Sequence, residues 1–294
     1  MASLEILLIL VVSMLLYIFL PPLLDGIERK IKAKIQTRYG PPTILQTWYD
    51  ILKLSTKELK MPPTFQFSAF LLVLAFSLSI ATIYLLSYII ISLDIYSIAL
   101  IIVLILSIHS LTAFISTLSS NPFSLIGIFR GLTIDIINEM GFITSIPLYY
   151  LSIKTFNLSI KSLLLLILST IFVFIVSYVA SKRLPYDLHE AEPELASGSI
   201  IEFSGPILAL YLYIHLIDRY TITVLPIAIG LSSIGLSTPL YITMILIHII
   251  AIGIYLLFGV IAPLLGRSRI DIAVKTLMFI YPIIITVWLA VKVL

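Results

Sequence analysis

The sequence predicts an all-α, polytopic membrane protein with about eight transmembrane helices and one amphipathic helix at the membrane surface. Of its 294 residues, 60% are hydrophobic and only 11% are charged, and the mean hydropathy of +1.16 is far above the range of soluble proteins. Apolar runs of about 20 residues, the length that crosses a hydrocarbon layer of roughly 30 Å, recur along the whole chain. These observations predict a single transmembrane domain over residues 1–294.

The positions of the apolar runs define the predicted spans. The first run has no basic residue before it and continues to Pro21-Pro22 without a small-residue cleavage site, so it predicts a retained helix and not a signal peptide. The stretch 221–235 is apolar but contains Pro226 and Gly230, which favours the end of the sixth helix followed by a re-entrant or outer loop. The predicted spans are residues 4–24, 67–91, 97–118, 129–151, 160–181, 203–220, 239–261 and 272–293.

Residues 44–60 are too few and too charged to cross a membrane. Their apolar side chains, Trp48 among them, recur at helical spacing, while Asp50 and the lysines take the other side. This pattern predicts an amphipathic helix on the cytoplasmic face, which either anchors the chain to the membrane surface or roofs a cavity there.

The distribution of basic residues predicts the orientation. With eight spans, segments 25–66, 119–128, 182–202 and 262–271 share one side, and fourteen of the eighteen lysine and arginine residues lie in them or at the helix ends nearest to them. Because basic residues concentrate on the cytoplasmic side, this face is expected in the cytoplasm and both termini outside the cell membrane.

Two carboxylates lie within the fourth predicted span. Asp135 and Glu139 are four residues apart, so they share one helical face, and Glu139 is about ten residues, or roughly 15 Å, into the predicted helix. An ionised side chain there costs about 2.5 to 3.5 kcal/mol, so it is expected to face the protein interior or water. The pair is either a site that loads and releases protons or the structural partner of Arg130 or of another buried cation.

An acidic segment at about 182–202 stands out in a chain with few acidic residues. As a generic charge run it is typical of a solvated loop, but its last acid, Glu202, enters the next predicted helix. His189-Glu190 lacks the second histidine of a helical zinc-protease motif, so His189 is interpreted as a loop residue. The acids are Asp187, Glu190, Glu192, Glu194 and Glu202.

A basic segment follows the first span, from Glu28-Arg29-Lys30 to Arg38. Its lysines favour attachment to anionic lipid, whereas Glu28 and Arg38 are expected to do more.

The chain contains no cysteine, so it cannot hold an iron-sulfur cluster with its own thiolates, and any electron transfer must take place in a partner. His109, His215 and His248 lie within or near predicted helices. Each is interpreted as a hydrogen-bonded core residue, and their separation in the sequence supports no metal site. We expect no cofactor or metal bound by this chain.

Four motifs and the helix count together cover nearly the whole chain. The motifs are Glu28-Arg29-Lys30 with Gln36, Arg38 and Gly40-Pro41; Leu45-Gln46 to Asp50 with Lys53-Leu54 and Thr56-Lys57-Glu58; Arg130 with Glu139; and the acidic segment from Asp187 to Glu202, with Arg267, Arg269 and Asp271 as a looser fifth. In these motifs the chain resembles the eight-helix membrane subunit at the junction of respiratory complex I and its counterpart in membrane-bound energy-converting nickel-iron hydrogenases.

The resemblance implies a subunit of an oxidoreductase complex that is not catalytic by itself. It would lie between a cytoplasmic redox arm and antiporter-like, ion-pumping membrane subunits, with no nucleic acid as partner and with iron-sulfur clusters, and in a hydrogenase a nickel-iron site, in partner subunits. The implied ion-coupling path is Asp187, Glu190, Glu192, Glu194, Glu202 and Glu139, with Asp135 matched less closely. The implied counter-charges and docking residues are Glu28, Arg29, Arg38, Arg130, Arg267 and Arg269.

Two departures favour the hydrogenase branch. Only Pro42, Thr43 and Ile44 separate Gly40-Pro41 from Leu45-Gln46, where the complex I pattern has a longer insert, and the segments 192–194 and 202–206 look more like the hydrogenase form. The alternatives are a quinone-chamber subunit of a complex I-like dehydrogenase and a relative that reduces sulfur compounds. A secondary transporter would be expected to contain an internal repeat, and the acidic segment has no counterpart in the first half of the chain.

Overall fold

The computed structural model describes residues 2–59, 66–118, 121–157, 159–188, 200, 203–233 and 239–293, and these residues form helices and connecting turns with no strand among them. The helices, in chain order, are α1 (Ala2–Ile35), α2 (Gln46–Ser55), α3 (Gln66–Ile91), α4 (Ile95–Thr117), α5 (Pro122–Lys154), α6 (Ile160–Ala180), α7 (Gly205–Ser233), α8 (Leu240–Ile261) and α9 (Ile270–Val293). A short 3-10 turn, Ala262–Leu264, follows α8. The all-α prediction is confirmed.

Seven helices in the described part of the chain are long and apolar enough to cross a membrane, namely α1, α3, α4, α6, α7, α8 and α9. The remaining long helix, α5, has 33 residues and a length of about 50 Å, but Arg130, Asp135 and Glu139 lie along it. It packs against α4, α6, α7 and α9, which shield most of its polar face. The polytopic membrane architecture follows from these helices together.

Helix α7 is the centre of the bundle. Within its membrane-crossing window 83% of the residues are buried, against 22 to 44% in the other six candidate spans. It contacts α1, α2, α3, α5, α6 and α8. The outer helices instead expose large apolar side chains such as Leu7, Phe70 and Phe279, as expected for surfaces that face lipid.

The prediction of a re-entrant or outer loop from residue 221 was wrong for the residues that the structure describes, because α7 continues to Ser233. Every residue from Tyr220 to Gly230 is buried, so packing on all sides holds this segment helical through Pro226. Gly230 allows a close approach and does not end the helix: a Cβ added there would lie 2.6 Å from the Tyr149 hydroxyl oxygen.

The predicted end of the first helix near residue 24 was also wrong. Helix α1 runs through Pro21 and Pro22 to Ile35, and its 34 residues extend over about 51 Å, well beyond one hydrocarbon layer. Burial of Leu24 and Glu28, each 1% exposed, stabilises the helix past the two prolines. The extension carries Glu28 and Arg29 on a regular helix, which fixes the directions of their side chains.

Two further boundaries differ from the prediction. Helix α5 begins at Pro122, capped by the Asn121 side chain, and not at residue 129, so Glu139 lies near the middle of the helix. Helix α2 covers only residues 46–55 of the predicted 44–60 and lies across α1 and α7, where the Trp48 ring packs 5.8 Å from Phe19 and 5.9 Å from Tyr213.

Candidate functional site

A buried ion pair joins α1 to the turn after α6. Arg183 donates to both carboxylate oxygens of Glu28, with Nε 3.2 Å from Oε1 and Nη2 2.6 Å from Oε2. The Lys32 ammonium, one helical turn further along α1, lies 2.7 Å from Oε1. Both side chains of the pair are 1% exposed, so this is a bidentate, charge-assisted contact removed from solvent.

Helix α8 supports the Glu28–Arg183 pair from the other side. The Arg183 guanidinium carbon lies 4.3 Å from the centre of the Tyr255 ring, a cation–π distance. Gly259 makes room for the carboxylate, because a Cβ added there would lie 2.7 Å from Cγ of Glu28. The pair is therefore held by three elements and has little freedom to move.

Lys182, the residue before Arg183, makes a second ion pair on a different element. Its ammonium lies 3.5 Å from a carboxylate oxygen of Asp135 on α5, and the two side chains are 14% and 11% exposed. A left-handed backbone, with φ of 50°, turns the chain at this residue. Burial lowers the pKa of Lys182, but the nearby Asp135 carboxylate outweighs burial and raises that pKa above its ordinary value, so the ammonium stays charged.

Further ionisable groups lie around the Asp135–Lys182 pair. The charges that act on Glu139 come from His109, Asp135 and Lys182. His109 on α4 places its Nε2 atom 2.6 Å from a carboxylate oxygen of Asp218 on α7, and these side chains are only 7% and 5% exposed. We call these five residues the α4–α5–α7 network, because they connect those helices and the turn after α6.

A polar cavity of about 220 Å³ lies beneath α2, between α1 and α7. Arg29 reaches from α1 to Asp50 on α2, with Nη1 2.8 Å from Oδ2, and Gln46 donates to the other oxygen of Asp50 at 2.9 Å. Thr47 donates to Asp25 at 2.9 Å. Partial burial raises the pKa of Asp50, but the hydrogen bonds from Arg29 and Gln46 and the Arg29 charge hold it below its ordinary value.

A second, larger cavity of about 550 Å³ lies where the turn after α6 meets the start of α9, and Arg130, Arg267 and Arg269 line it. Arg267 donates to Asp187 at 3.1 Å, and the Arg269 Nε atom lies 3.3 Å from Asp271. These contacts concentrate three guanidinium groups beside the first residue of the predicted acidic segment.

The structure brings together some of the predicted residues and not others. Asp135 and Glu139 lie in one network, and Asp187 is paired with Arg267. Asp135 pairs with Lys182, which is the buried cation that its position required. Arg38 donates to the neighbouring Gln36 at 2.8 Å, on an exposed turn. Four predicted residues, Glu190, Glu192, Glu194 and Glu202, lie outside the described residues.

The sequence interpretation missed Asp218 and the specific roles of Lys182 and Arg183. Asp218 lies in a span that was expected to end two residues later, so it was taken for a residue at the membrane edge. Lys182 and Arg183 were counted only as basic residues of a cytoplasmic loop. One signal was available, because Asp218 adds a carboxylate to an apolar run that also contains His215 and Arg219.

The interpretation of the histidines as hydrogen-bonded core residues holds for two of the three. His109 contacts Asp218, and Nδ1 of His248 lies 2.7 Å from the Tyr220 hydroxyl. Among the described residues, no three histidine, aspartate or glutamate side chains lie close enough together to hold a metal ion.

Comparison with known proteins gives one family. The family model described as NADH dehydrogenase matches residues 5–293. A membrane-complex relative, an F(420)H(2) dehydrogenase chain of Methanosarcina acetivorans, is 31% identical over 225 residues, which are 65% of this chain and 63% of that protein. The NADH-ubiquinone oxidoreductase chain 1 of Neurospora crassa is 29% identical over 233 residues, or 71% of this chain and 60% of its own length.

A solved structure shares the fold. A chain of the membrane-bound sulfane sulfur reductase, an archaeal respiratory membrane complex, superimposes with a TM-score of 0.76 at 20% identity, over 97% of this chain and 98% of that one. The chain spans slightly less than two thirds of the length of the curated relatives that it matches.

Proposed function

The chain belongs to the NADH dehydrogenase family, and we propose from this premise that it is a membrane subunit of an energy-converting redox complex. In this role it docks a peripheral, hydrogenase-like arm and couples electron transfer there to the translocation of H⁺ or Na⁺. The chain acts as one transmembrane domain that is not catalytic by itself, and the redox cofactors belong to partner subunits.

The observation that carries the proposal is the α4–α5–α7 network. Five ionisable side chains surrounded by apolar helices are expensive to maintain, and such residues within membrane proteins commonly serve ion pathways. Glu139 is the member nearest the middle of α5, and charges from His109, Asp135 and Lys182 act on it. A change in the charge of any one member therefore alters the protonation of the others.

The proposed mechanism is electrostatic. Chemistry in the peripheral arm changes charge or protonation near the acidic segment, whose members are Asp187, Glu190, Glu192, Glu194 and Glu202. At an effective dielectric constant of about 20, two unit charges roughly 4 Å apart interact by about 4 kcal/mol, which shifts a neighbouring carboxyl pKa by several units. The change passes from this segment to Asp135 and Glu139.

The counter-charges have separate places in this scheme. Arg130, Arg267 and Arg269 line the cavity beside Asp187, where they stabilise acidic side chains and receive the peripheral arm. Arg29 holds α2 against α1, and Glu28 anchors the turn after α6 through Arg183. Arg38, on the exposed turn after α1, is assigned to docking.

The proposed environment is the cell membrane, with the segments around α2 and the turn after α6 in the cytoplasm and both termini outside. The excess of basic residues in these segments supports this orientation. The partners are peripheral redox subunits on the cytoplasmic face and antiporter-like subunits in the membrane.

Among related complexes, the hydrogenase branch is our first choice because residues 42–44 form a short connection before α2. A sulfur-reducing complex is the second candidate, favoured by the shared fold with a chain of the sulfane sulfur reductase. A quinone-chamber subunit is a third, since one relative is an NADH-ubiquinone oxidoreductase chain. Family membership argues against a partner-free secondary transporter.

Replacing Glu139 or Glu194 with Gln tests the coupling. Each change removes a titratable carboxyl group while keeping the size of the side chain, so we expect loss of ion translocation with electron transfer largely unchanged. The measurement is ion uptake per electron by the purified complex reconstituted in vesicles.

Thr144→Val is the matched control for Glu139→Gln, because the Thr144 hydroxyl only contacts backbone carbonyls of its own helix, one of them Met140 at 2.9 Å. We expect wild-type coupling in this variant. Full translocation in both glutamate variants would contradict the proposed role of the carboxylates.

A further inference from the structure

A second group of buried polar side chains lies between α1, α7 and α8, and the coupling network above does not use it. It consists of Tyr17 on α1, Tyr220 on α7, and His248 and Tyr255 on α8, which are at most 3% exposed. We call these four residues the tyrosine–histidine cluster. Apolar side chains of the main core surround it.

The four rings are in contact. The centre of the His248 ring lies 5.0 Å from that of Tyr17 and 6.1 Å from that of Tyr220, and the Tyr220 hydroxyl lies 2.7 Å from His248 Nδ1. The ring centres of Tyr220 and Tyr255 lie 6.4 Å apart. A single water molecule bridges polar atoms about 5.5 Å apart, so separations of this size suit water-mediated contacts.

Three polar atoms of the cluster have no hydrogen-bond partner among the described residues. They are the hydroxyl oxygens of Tyr17 and Tyr255 and the Nε2 atom of His248. An unsatisfied buried polar group costs about 1 to 3 kcal/mol, and groups of this kind in a protein interior are normally paired with protein or ordered water. Three such groups in neighbouring rings indicate a shared polar ligand.

One end of the cluster reaches the Glu28–Arg183 pair, because the Arg183 guanidinium lies over the Tyr255 ring. The other end lies deeper in the membrane. Tyr17 precedes Glu28 by eleven residues on α1, and His248 precedes Gly259, which contacts Glu28, by eleven residues on α8. Eleven residues correspond to about 16 Å along a helix. The cluster thus leads from the pair toward the middle of the bundle.

We propose that the tyrosine–histidine cluster binds ordered water and carries protons between the Glu28–Arg183 pair and the membrane interior. Its role as a proton path rests on the proposed function, whereas its binding of water does not. It is a route on α1, α7 and α8, separate from the α4–α5–α7 network.

Proton transfer along this route conserves charge. When the Tyr220 hydroxyl donates to Nδ1 of His248, the hydrogen of the neutral ring is on Nε2, which then donates to water. A proton that enters at one water or hydroxyl displaces the hydrogen already there to the next acceptor. Each group ends the transfer neutral, and one proton leaves for each that enters.

The test begins with a high-resolution electron cryomicroscopy map of the native complex. We expect water density within hydrogen-bonding distance of at least two of the three atoms: the Tyr17 and Tyr255 hydroxyl oxygens and His248 Nε2. A water-free cluster in which these atoms pair directly with protein groups would overturn the site, whatever the complex does.

The second part compares Tyr17→Phe and His248→Gln in the reconstituted complex. Phenylalanine removes one hydroxyl, and glutamine keeps hydrogen bonding to Tyr220 but cannot carry a proton at neutral pH. We expect both variants to lose most of their proton translocation per electron. The control is Tyr213→Phe, whose hydroxyl donates to the Ile18 carbonyl outside the cluster and which we expect to keep the native ratio.

The outcomes separate the relay from the proposed function. Native ratios in Tyr17→Phe and His248→Gln, in a complex that Glu139→Gln uncouples, would overturn the relay and leave the proposed function standing. Native ratios in all three variants would overturn both. Reduced ratios together with water density would establish the route.

Discussion

At the scale of single residues, the chain combines costly buried charges with close steric support. Glu28 and Arg183 are both 1% exposed and would each be unstable alone at this site. The aromatic ring of Tyr255 and the missing side chain of Gly259 are adapted to hold the pair together. The contact therefore determines where the turn after α6 lies relative to α1 and α8.

Arg183→Met tests how strongly this contact holds the structure. It leaves the buried Glu28 carboxylate with Lys32 alone, so we expect a loss of about 3 kcal/mol or more in unfolding free energy. The double variant Glu28→Met/Arg183→Met should lose less than the sum of the single changes, because no buried charge is left uncompensated. Thermal unfolding in detergent measures both.

Arg269→Met is the control for Arg183→Met, since the Arg269 side chain is 81% exposed in its pair with Asp271. An exposed pair of this kind contributes roughly 0 to 1 kcal/mol, so little change is expected. Equal stability of the Arg183 and Arg269 variants would show that the buried pair contributes nothing specific.

At the scale of helices, α2 depends on polar contacts more than on burial. It exposes Tyr49 and Leu52, and among its ten residues only Thr47 is buried. The Arg29–Asp50 ion pair and the packing of Trp48 hold it over the polar cavity. Its attachment should therefore respond to changes that leave the rest of the bundle unaffected.

Asp50→Asn should loosen α2 by about 0.2 to 1 kcal/mol, the usual contribution of a solvent-accessible ion pair. The pKa of Asp50 is lowered in the folded protein, so its contribution is present above the ordinary value of 3.8 and is lost as the pH falls through the lower folded value. Backbone hydrogen exchange of residues 46–55 measures the loosening at neutral pH. Ser55→Ala, whose hydroxyl contacts only the Leu52 carbonyl, should leave exchange unchanged.

Helix boundaries show where sequence patterns are sufficient and where they are not. Apolar periodicity located every long helix, because the bilayer imposes length and composition locally. It failed at Pro21-Pro22 and Pro226, because buried neighbours such as Leu24 and Tyr149 outweigh the local preference of proline to end a helix. These neighbours are distant in the sequence, so no local pattern contains them.

At the scale of the whole molecule, the candidate site was only partly predictable. The positions of Asp135 and Glu139 marked the network, because carboxylates in an apolar run are conspicuous. Their partners Lys182, His109 and Asp218 come from other helices, and only the packing of α4, α5 and α7 brings them together. The sequence thus revealed where charge enters the bundle but not how it is neutralised.

The metal content of the native complex, purified in mild detergent through a tag on this chain, tests the assignment at the same scale. Nickel together with abundant iron is expected for the hydrogenase branch, because this chain has no cysteine and its partners must supply the clusters. Iron without nickel would favour a sulfur- or quinone-reducing complex. Co-purification of neither metal would contradict a redox complex.

The consecutive residues Lys182 and Arg183 give the molecule a mechanical connection between its two sides. One ammonium lies 3.5 Å from Asp135 on α5, and the next guanidinium lies 2.6 Å from Glu28 on α1. Since the two cations share one peptide unit, a displacement of that unit changes both distances at once, like the beam of a balance. By thermodynamic reciprocity, whatever strain neutralisation of Asp135 imposes on Glu28, loss of the Glu28 charge imposes equally on Asp135.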